Sequence, residues 1–506
     1  MSPQPDLRSA APGSLGLGRL RLLGLAVVPA ALILVLGTAG SAAADPPEFT
    51  GIVGIPAFTV HGHRAAGAVD LRLLAGGGQV LSEQGLGLAQ GSQLDGARFG
   101  AAVVSGDLNG DGDQDMIVGA PGGAGSGRVA VLFGSSTGVS ASGAQSLPVP
   151  PSLRAGDEFG ASLAITFRLE PDQPGPGNHD LWVGAPGRDV AGKVNAGAVF
   201  RYLLSPAGVA TYLETITQDS PLVPGSAESG DRFGAVLGGG SVRNGVVVGV
   251  PDEDIGRLKD AGTVQRIRTD LVTDVLVRGQ GYNQNTNGVH GRAEAGDRFG
   301  AALSGAGSYG GHAVGVPGED VGGARNAGAV QVFGSIESSG DDGFHPVAAF
   351  TQDSKGVPGR VEAGDRFGAA LTVGDLACQD WSVTAVGSPG ENIGSVRDAG
   401  SITLLPDLRP GPHHTCTSSF RQGHGLPGKA EAGDQLGATL GVLKSDLAGA
   451  GEAYDRLQIG VPGEDVGSAQ NVGRVITGTG KQATGFGYQG GGIAGMRFGS
   501  ILATAK

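Results

Sequence analysis

Charged and aromatic residues are scarce in this chain of 506 residues. Asp, Glu, Lys and Arg together make up 16% of it, and Phe, Trp and Tyr make up 5%. An average domain has about 25% charged residues, so the chain lacks the charge density typical of disorder. The formal net charge is −13. Because nucleic acids and anionic membranes bind cationic surfaces, neither is expected as a partner.

Long helices are not expected either, because glycine is too frequent. The chain has 97 glycines and 28 prolines, and each glycine inside a helix costs about 1 kcal/mol relative to alanine. An aperiodic chain of this composition would be disordered, but 40% of the residues are apolar. The composition therefore favours many short strands joined by glycine turns, provided that the glycines recur at regular intervals.

The first 44 residues resemble a Sec-type signal peptide. Three arginines precede an apolar run from Leu22 to Leu36, and small residues then lead to Ala44. The alternative is a membrane anchor, but the run is shorter than the roughly 20 residues that span a bilayer. We therefore predict cleavage after Ala44 and a secreted, extracellular chain. No second hydrophobic segment follows, so no transmembrane segment is expected after removal of the signal.

Cysteine usage agrees with export. Cys378 and Cys416 are the two cysteines of the chain, and an even number suits an oxidising compartment. They form a disulfide candidate. The alternative is two unrelated buried thiols, and without a Cys-x-x-Cys spacing a zinc site is not expected.

Two short motifs alternate along the rest of the chain, and each occurs seven times. The first is a Phe-Gly step, with Leu once in place of Phe, at residues 99–100, 159–160, 233–234, 299–300, 367–368, 436–437 and 498–499. The second is a Gly-x-Pro step that ends a hydrophobic run, at residues 54–56, 119–121, 184–186, 249–251, 315–317, 387–389 and 460–462. The two motifs recur every 60 to 75 residues, and a regular long repeat is typical of propellers and solenoids.

Each repeat contains enough residues for the four strands of an antiparallel sheet. In the unit that begins at Asp297, strands are predicted over residues 299–303, 312–316, 328–333 and 346–351, separated by glycine-rich turns. Such a sheet buries both faces only by stacking on its neighbours. Small Gly, Ala and Val side chains suit inner strands near an axis, and the recurring Phe residues are predicted core wedges.

The two ends of the chain complete each other. The first unit has no Phe-Gly step before it, and the last Phe-Gly step has no Gly-x-Pro step after it. We therefore predict that residues 496–504 supply the innermost strand of the first blade, which closes a ring and removes exposed strand edges. The predicted fold is all-β, a single seven-bladed β-propeller over residues 45–506. Its blades are residues 46–91 plus 491–506, 92–150, 151–222, 223–289, 290–357, 358–427 and 428–490.

One acidic loop, residues 107–115, has the spacing of a cation site. It reads Asp-Leu-Asn-Gly-Asp-Gly-Asp-Gln-Asp, and Asp-x-Asn-x-Asp-Gly places alternate oxygens around one hard cation. An EF-hand would need Glu where this chain has Val118. A solvated acidic turn is the alternative reading, and Mg²⁺ is less favoured than Ca²⁺ because it prefers small octahedral sites that retain water.

The paired Phe-Gly and Gly-Ala-Pro marks resemble FG-GAP repeats, the unit of the integrin α-chain propeller and of bacterial integrin-like proteins. The resemblance implies a rigid secreted scaffold, often stabilised by calcium, that binds proteins or glycans through the loops of one face. It further implies calcium ligation by the side chains of Asp107, Asn109, Asp111 and Asp115, and by the backbone carbonyl of Asp113. A fold of this kind hosts many activities, so the resemblance alone does not identify a ligand.

Other units do not repeat the calcium loop. Their equivalent stretches hold acidic residues only in loose register, at Glu170, Asp172 and Asp180 in one unit and Asp446, Glu452 and Asp455 in another. We therefore predict one Ca²⁺ site, whereas integrin-type propellers usually carry several.

A second acidic set follows the Gly-x-Pro steps on the opposite rim. It comprises residues 252–254, 319–320, 391–392 and 464–465, each followed by an Asp/Asn-x-Gly tripeptide at 260–262, 326–328, 398–400 and 471–473. One interpretation is an acidic ligand-binding face. The other is that short acidic side chains cap tight turns by accepting backbone N–H bonds, and regular recurrence favours this one.

Enzyme motifs are almost absent, so we predict a non-enzyme with no catalytic residues. A Gly-x-Ser-x-Gly pattern at residues 134–138 lacks the following helix of a nucleophile elbow. The leading hypothesis is an exported, monomeric propeller that binds an extracellular protein or glycan, in adhesion or at a cell envelope. The alternatives are a secreted hydrolase, with its site in the channel or on irregular loops such as 282–290 or 412–425, and a purely structural surface protein.

Overall fold

The computed structural model of the chain describes fourteen stretches between residues 49 and 505. They are residues 49–73, 78–123, 125–135, 137–167, 178–239, 245–270, 273–305, 311–334, 344–376, 382–406, 417–443, 454–479, 482–486 and 496–505. The predicted signal peptide, Cys378 and Cys416 lie outside these residues. Within the described stretches, no helix is both long and apolar enough to cross a membrane.

Seven sheets of four or five strands make up the described fold. Strands β1 (Phe49–Ile55), β2 (Ala68–Leu73), β3 (Gly78–Leu81) and β29 (Ile501–Leu502) form the first blade, and β4 (Ala102–Gly106), β5 (Asp115–Ala120), β6 (Arg128–Leu132), β7 (Ala144–Ser146) and β30 (Thr504–Ala505) form the second. The third has β8 (Ser162–Phe167), β9 (His179–Ala185), β10 (Ala198–Leu204) and β11 (Ala210–Ile216), and the fourth has β12 (Val236–Gly238), β13 (Gly245–Val250), β14 (Thr263–Thr269) and β15 (Leu276–Tyr282).

The remaining three blades follow the same pattern. The fifth has β16 (Ala302–Leu303), β17 (His312–Val316), β18 (Ala329–Gly334) and β19 (His345–Phe350), and the sixth has β20 (Ala370–Gly374), β21 (Val383–Ser388), β22 (Ser401–Pro406), β23 (Ser418–Gln422) and β24 (Gly425–Leu426). The seventh has β25 (Leu440–Leu443), β26 (Arg456–Val461), β27 (Arg474–Thr479) and β28 (Gln482–Phe486). Two short 3-10 helices, Gly91–Gln93 and Ala141–Gly143, lie in links.

The blades are meanders whose second strand is the most deeply buried. In β13, all six residues of Gly-Val-Val-Val-Gly-Val are buried, whereas β15, the outermost strand of the same blade, has no buried residue. Continuous apolar sequence suits a strand covered on both faces, and mixed sequence suits an edge. The fold is the predicted seven-bladed β-propeller.

The Phe-Gly steps form the joints between neighbouring blades. Each Phe, and Leu436 in its place, is fully buried. Each also makes a parallel bridge to the glycine before the third strand of the preceding blade: Gly67–Phe99, Gly127–Phe159, Gly197–Phe233, Gly262–Phe299, Gly328–Phe367, Gly400–Leu436 and Gly473–Phe498. The prediction that these aromatics are core wedges is confirmed.

The first residue of each Gly-x-Pro step must be glycine because the backbones of adjacent blades are in contact there. A Cβ added to Gly249 would lie 2.2 Å from the carbonyl oxygen of Gly300 in the next blade. The same clash, at 2.0 to 2.2 Å, recurs at the first glycine of every Gly-x-Pro step. Real Cβ atoms do not approach oxygen so closely, so only glycine fits.

The first strand of the fifth blade is shorter than predicted. It begins at Ala302 rather than at Phe299, because Arg298 and Gly300 have positive φ angles of 57° and 90°. A left-handed residue on each side of Phe299 prevents an extended strand there.

The ring is closed by the C-terminal segment, as predicted. Ile501 and Leu502 pair antiparallel with β1, and Gly473 bridges to Phe498. The segment also continues further than expected, since Thr504 and Ala505 pair in parallel with β4 of the second blade. The C-terminus therefore joins the seventh, first and second blades.

Candidate functional site

The predicted cation loop connects β4 to β5 at one rim of the second blade. Gly110 and Gly112 have φ angles of 78° and 87°, and these left-handed residues allow the loop to fold back on itself. Asp107 Oδ1 accepts a hydrogen bond from the Gly110 N–H at 2.6 Å, and Asp111 Oδ1 accepts one from the Asp113 N–H at 2.8 Å. The loop's own amides thus orient two of the predicted ligands.

Asp115 differs from the other acidic residues of this loop. It is fully buried, and its two carboxylate oxygens accept hydrogen bonds from the Leu108 N–H and the Gly134 N–H, both at 2.8 Å. Burial raises the pKa of Asp115 to about 6, against the lowering effect of these two bonds. Asp115 therefore holds the loop onto the sheet.

The donor set suits a hard cation in its chemistry. Asp107, Asn109 and Asp111 offer only oxygen atoms and are partly or fully exposed, as Ca²⁺ requires. Asp113 lies close enough to Asp111 and Asp107 for their charges, together with desolvation, to raise its pKa. As placed, no group of three or more His, Cys, Asp or Glu side chains in the described residues has metal-holding geometry.

The loosely matched acids of other blades serve the scaffold where the structure describes them. Asp180 is buried and pairs with the buried guanidinium of Arg201 at 3.0 Å. Arg201 also contacts Glu214 at 3.2 Å and Asp274 of the fourth blade. Asp455 accepts a hydrogen bond from the Asp375 N–H at 2.8 Å. Residues 170, 172, 446 and 452 lie outside the described residues.

The acidic loops of the opposite rim cap their own turns. Asp254 Oδ1 accepts a hydrogen bond from the Asp260 N–H at 2.9 Å, and Asp260 has a positive φ of 51°. Equivalent bonds recur at 2.8 to 3.1 Å for Asp320 and Asn326, Asn392 and Asp398, and Asp465 and Asn471. Asn and Asp tolerate the left-handed region better than other residues, so this recurrence reflects turn geometry.

The glutamates of these loops make a contact between blades that the sequence interpretation missed. The amide Nε2 of Gln218, after the outer strand of the third blade, donates to Glu253 of the fourth at 2.7 Å. We call such a contact an interblade clasp. Three more join Gln284 to Glu319, Gln352 to Glu391 and Gln422 to Glu464. In these four cases the glutamine lies 14 or 15 residues before the next Phe-Gly or Leu-Gly step, and this spacing was the signal in the sequence.

Each clasp has a buried aspartate beside it, two residues before the Phe-Gly or Leu-Gly step of the same blade. Asp297 is 1% exposed, and its Oδ2 accepts a hydrogen bond from the Glu294 N–H at 2.5 Å. Desolvation, together with nearby carboxylates, raises the pKa of Asp297 to about 6 and that of Glu319 to about 7. The same causes raise the pKa of Asp365 and Asp434 to about 7 and that of Glu253 to about 7.

Seven polar side chains surround the axis on the rim that carries the clasps. They directly precede the Phe or Leu of each step, and we call them the mouth ring: Arg98, Glu158, Arg232, Arg298, Arg366, Gln435 and Arg497. All seven have φ between 51° and 59°. The innermost strands that they precede contact one another around the axis.

An open polar cleft lies on the same rim at the third blade. It has a volume of about 480 Å³ and is lined by residues that include Arg154, Asp157, Arg188 and Asn195. Arg188 donates to Asp157 at 3.0 Å and occupies the sequence position that Glu253 has in the fourth blade. The third blade thus has an arginine where four other blades have the glutamate of a clasp.

The described residues of the candidate enzyme motifs have local roles. Ser135 Oγ donates to the Gly138 carbonyl at 2.7 Å, whereas residue 136 lies outside the described residues. Nδ1 of His61 contacts Gln84 at 2.7 Å and that of His63 contacts Asp95 at 3.0 Å. No nucleophile, base and orienting acid come together at these positions.

Known proteins match parts of this chain. The FG-GAP repeat family matches residues 99–132. Integrin alpha-IIb of Mus musculus is 41% identical over 157 residues, which are 30% of this chain and 14% of that protein. Integrin alpha-3 of Cricetulus griseus is 32% identical over 205 residues, 38% of this chain and 17% of that protein. The chain therefore spans less than a fifth of the length of either relative.

A solved structure, "Structure of Dos1 propeller", matches 67% of this chain and 60% of its own at 11% identity and a TM-score of 0.35. The fold rests on the strand pairing and not on this match. The seven blades, with six Phe-Gly joints and one Leu-Gly joint, accord with the two integrin matches. Residues 99–132 match the FG-GAP repeat family, and parts of the seven-bladed β-propeller are similar in sequence to integrin α chains.

Proposed function

We propose that this protein is an exported, calcium-binding β-propeller that binds a protein or glycan through the loops of one rim, in adhesion or at a cell envelope. The observation that carries the proposal is the contrast between the two rims. One rim carries the loop for which we propose calcium, and the other has the mouth ring and an open polar cleft. A rigid closed ring that presents variable polar groups on one side suits binding.

The distribution of polar groups favours binding over hydrolysis. In the described residues, the recurring carboxylates are used in turns and clasps, where their partners are backbone N–H groups or glutamine amides. Hydrolysis needs a nucleophile or base within hydrogen-bond reach of an orienting group. The variable positions, such as Arg154 and Arg188, lie in the open cleft.

Calcium has a structural role in this proposal. Asp107, Asn109, Asp111 and Asp115 would ligate the ion through their side chains and Asp113 through its carbonyl, and Asp115 would also keep the loop attached to β5. The bound ion would neutralise three neighbouring carboxylates, and it would stabilise only the folded loop.

Binding is tested with the secreted full-length protein immobilised on beads and on a glycan array, in parallel with a general esterase and glycosidase screen. We expect saturable capture of a defined partner and no turnover. Turnover that one serine or carboxylate substitution abolishes would contradict the proposal. Absence of any saturable ligand would instead favour a purely structural surface protein.

A further inference from the structure

The mouth ring is rich in arginine, whereas the chain as a whole is acidic. Five of its seven positions are arginine, although the chain has a net charge of −13 and only 16% charged residues. A position that served only the left-handed backbone would favour Asn or Asp. Arginine gains nothing from that conformation, so its recurrence points to the side chain.

Contacts around the ring compensate only part of its charge. Glu158 accepts from Arg98 at 3.4 Å and from Arg232 at 2.7 Å. Asp252 accepts from Arg298 at 2.8 Å and lies 3.8 Å from Arg232. These carboxylates link the ring over three neighbouring joints.

The opposite arc of the ring lacks such compensation. Arg497 donates to the neutral amide of Gln435 at 2.7 Å. Among the described residues, no carboxylate pairs with Arg497 or Arg366. The acid that compensates Arg298 lies in the preceding blade and has no counterpart here, because the position of Asp252 is Gly318 in the blade before Arg366 and Gly463 in the blade before Arg497.

The surroundings limit how large an anion the arc accepts. Exposed glutamates lie four residues before ring positions in four blades, at Glu228, Glu294, Glu362 and Glu431. A long polyanion would pass several of these like charges, whereas a single carboxylate side chain would need to reach only one position of the arc. Guanidinium groups bind carboxylates in a bidentate geometry that fits a small planar anion.

We propose that the arc formed by Arg366, Gln435 and Arg497 binds an acidic peptide segment of a partner protein, through a single Asp or Glu side chain. A peptide is favoured over an acidic sugar because small-molecule pockets usually offer aromatic walls. Among described residues the exposed aromatics are Tyr212 and Tyr454, neither of them in the ring. This inference rests on the proposed binding function and specifies the partner's chemistry.

Fluorescence anisotropy tests it with the full-length protein and a dye-labelled Gly-Ser peptide that carries one Glu-Asp pair. The same peptide with Gln-Asn is the ligand control. Arg366→Gln combined with Arg497→Gln should weaken binding about tenfold at low salt. Gln435 shows that glutamine is compatible with this backbone position. The matched control combines Arg257→Gln with Arg360→Gln, which changes the net charge equally at exposed positions outside the ring. This control should change the affinity less than about twofold.

A gain of affinity separates the proposal from misfolding. Glu158→Gln combined with Asp252→Asn should tighten peptide binding, because it frees the compensated arginines. Equal loss in the two arginine double variants, equal binding of the Gln-Asn peptide, or binding only of a uronic acid oligosaccharide would each overturn the assignment. Saturable capture of another partner together with no peptide binding would refute this inference alone and leave the proposed function standing.

Discussion

Burial of a single carboxylate between two blades lowers the stability of the fold by an amount that depends on pH. Glu319 accepts from Gln284 but also faces Asp297, Glu294 and Asp320, and desolvation is the largest influence on its ionisation. Its pKa is raised to about 7 from 4.5. The folded protein therefore holds a proton on Glu319 at pH values where the unfolded chain has lost it, so folding is less favourable as the pH rises from about 4.5 to above 7.

Replacing this carboxylate by its neutral isostere should remove the pH-dependent cost. We expect Glu319→Gln to raise the free energy of unfolding by about 1–2 kcal/mol at pH 8 and to have little effect at pH 5. Urea unfolding at the two pH values measures the difference. Asp398→Asn, an equal charge change at an exposed turn of the sixth blade, is the control. An equal gain at both pH values would show that charge burial is not the cause.

At the scale of the element, the β4–β5 loop combines an exposed half with a half that is anchored in the sheet. Asp107, Asn109 and Asp111 are held by loop amides, and Asp115 is anchored in the sheet. Such a loop has a defined shape but keeps three carboxylates close together. A cation that binds the folded loop and not the unfolded chain would stabilise the fold by mass action.

Removal of calcium should therefore lower the thermal midpoint. With calcium at about 100 times its dissociation constant, the stabilisation is about 2.7 kcal/mol, and we expect chelator to lower the midpoint by about 3 °C. Asp111→Asn should abolish this response. Asp353→Asn, an equal charge change at an exposed link, should retain it. An unchanged midpoint of the wild type in chelator would remove calcium from the proposal.

At the scale of the whole molecule, closure of the ring depends on ten described residues at the C-terminus. They supply the joint at Phe498, the inner strand β29 of the first blade and the parallel pair with β4. Without them, the first and seventh blades would expose strand edges and the apolar surface of Val53, Ile55 and Val475. Exposed edges promote association between chains.

Deletion of residues 496–506 should open the ring. We expect a lower thermal midpoint and concentration-dependent association in size-exclusion chromatography, because the edges become available for pairing. Deletion of residues 504–506 alone keeps Phe498 and β29, so it should have a smaller effect. A truncated protein that stays monomeric with an unchanged midpoint would contradict closure by this segment.

The local sequence was sufficient to predict the repeat, most of the strands and the closure of the ring. Phe-Gly and Gly-x-Pro steps predicted the blades because a buried wedge and a backbone contact each permit few residue types. The start of β16 was wrong by three residues, since left-handed residues on both sides of Phe299 interrupt the extended chain. The calcium loop remains a prediction from its spacing.

Only the tertiary structure decided which polar residues meet. The clasp between Gln218 and Glu253 joins residues 35 positions apart, and the mouth ring gathers side chains separated by a whole blade. Sequence by itself determined the fold, because turn and core positions restrict residue choice locally. The candidate binding surface required the three-dimensional arrangement, because its charges are distant along the chain and adjacent only when seven blades close around one axis.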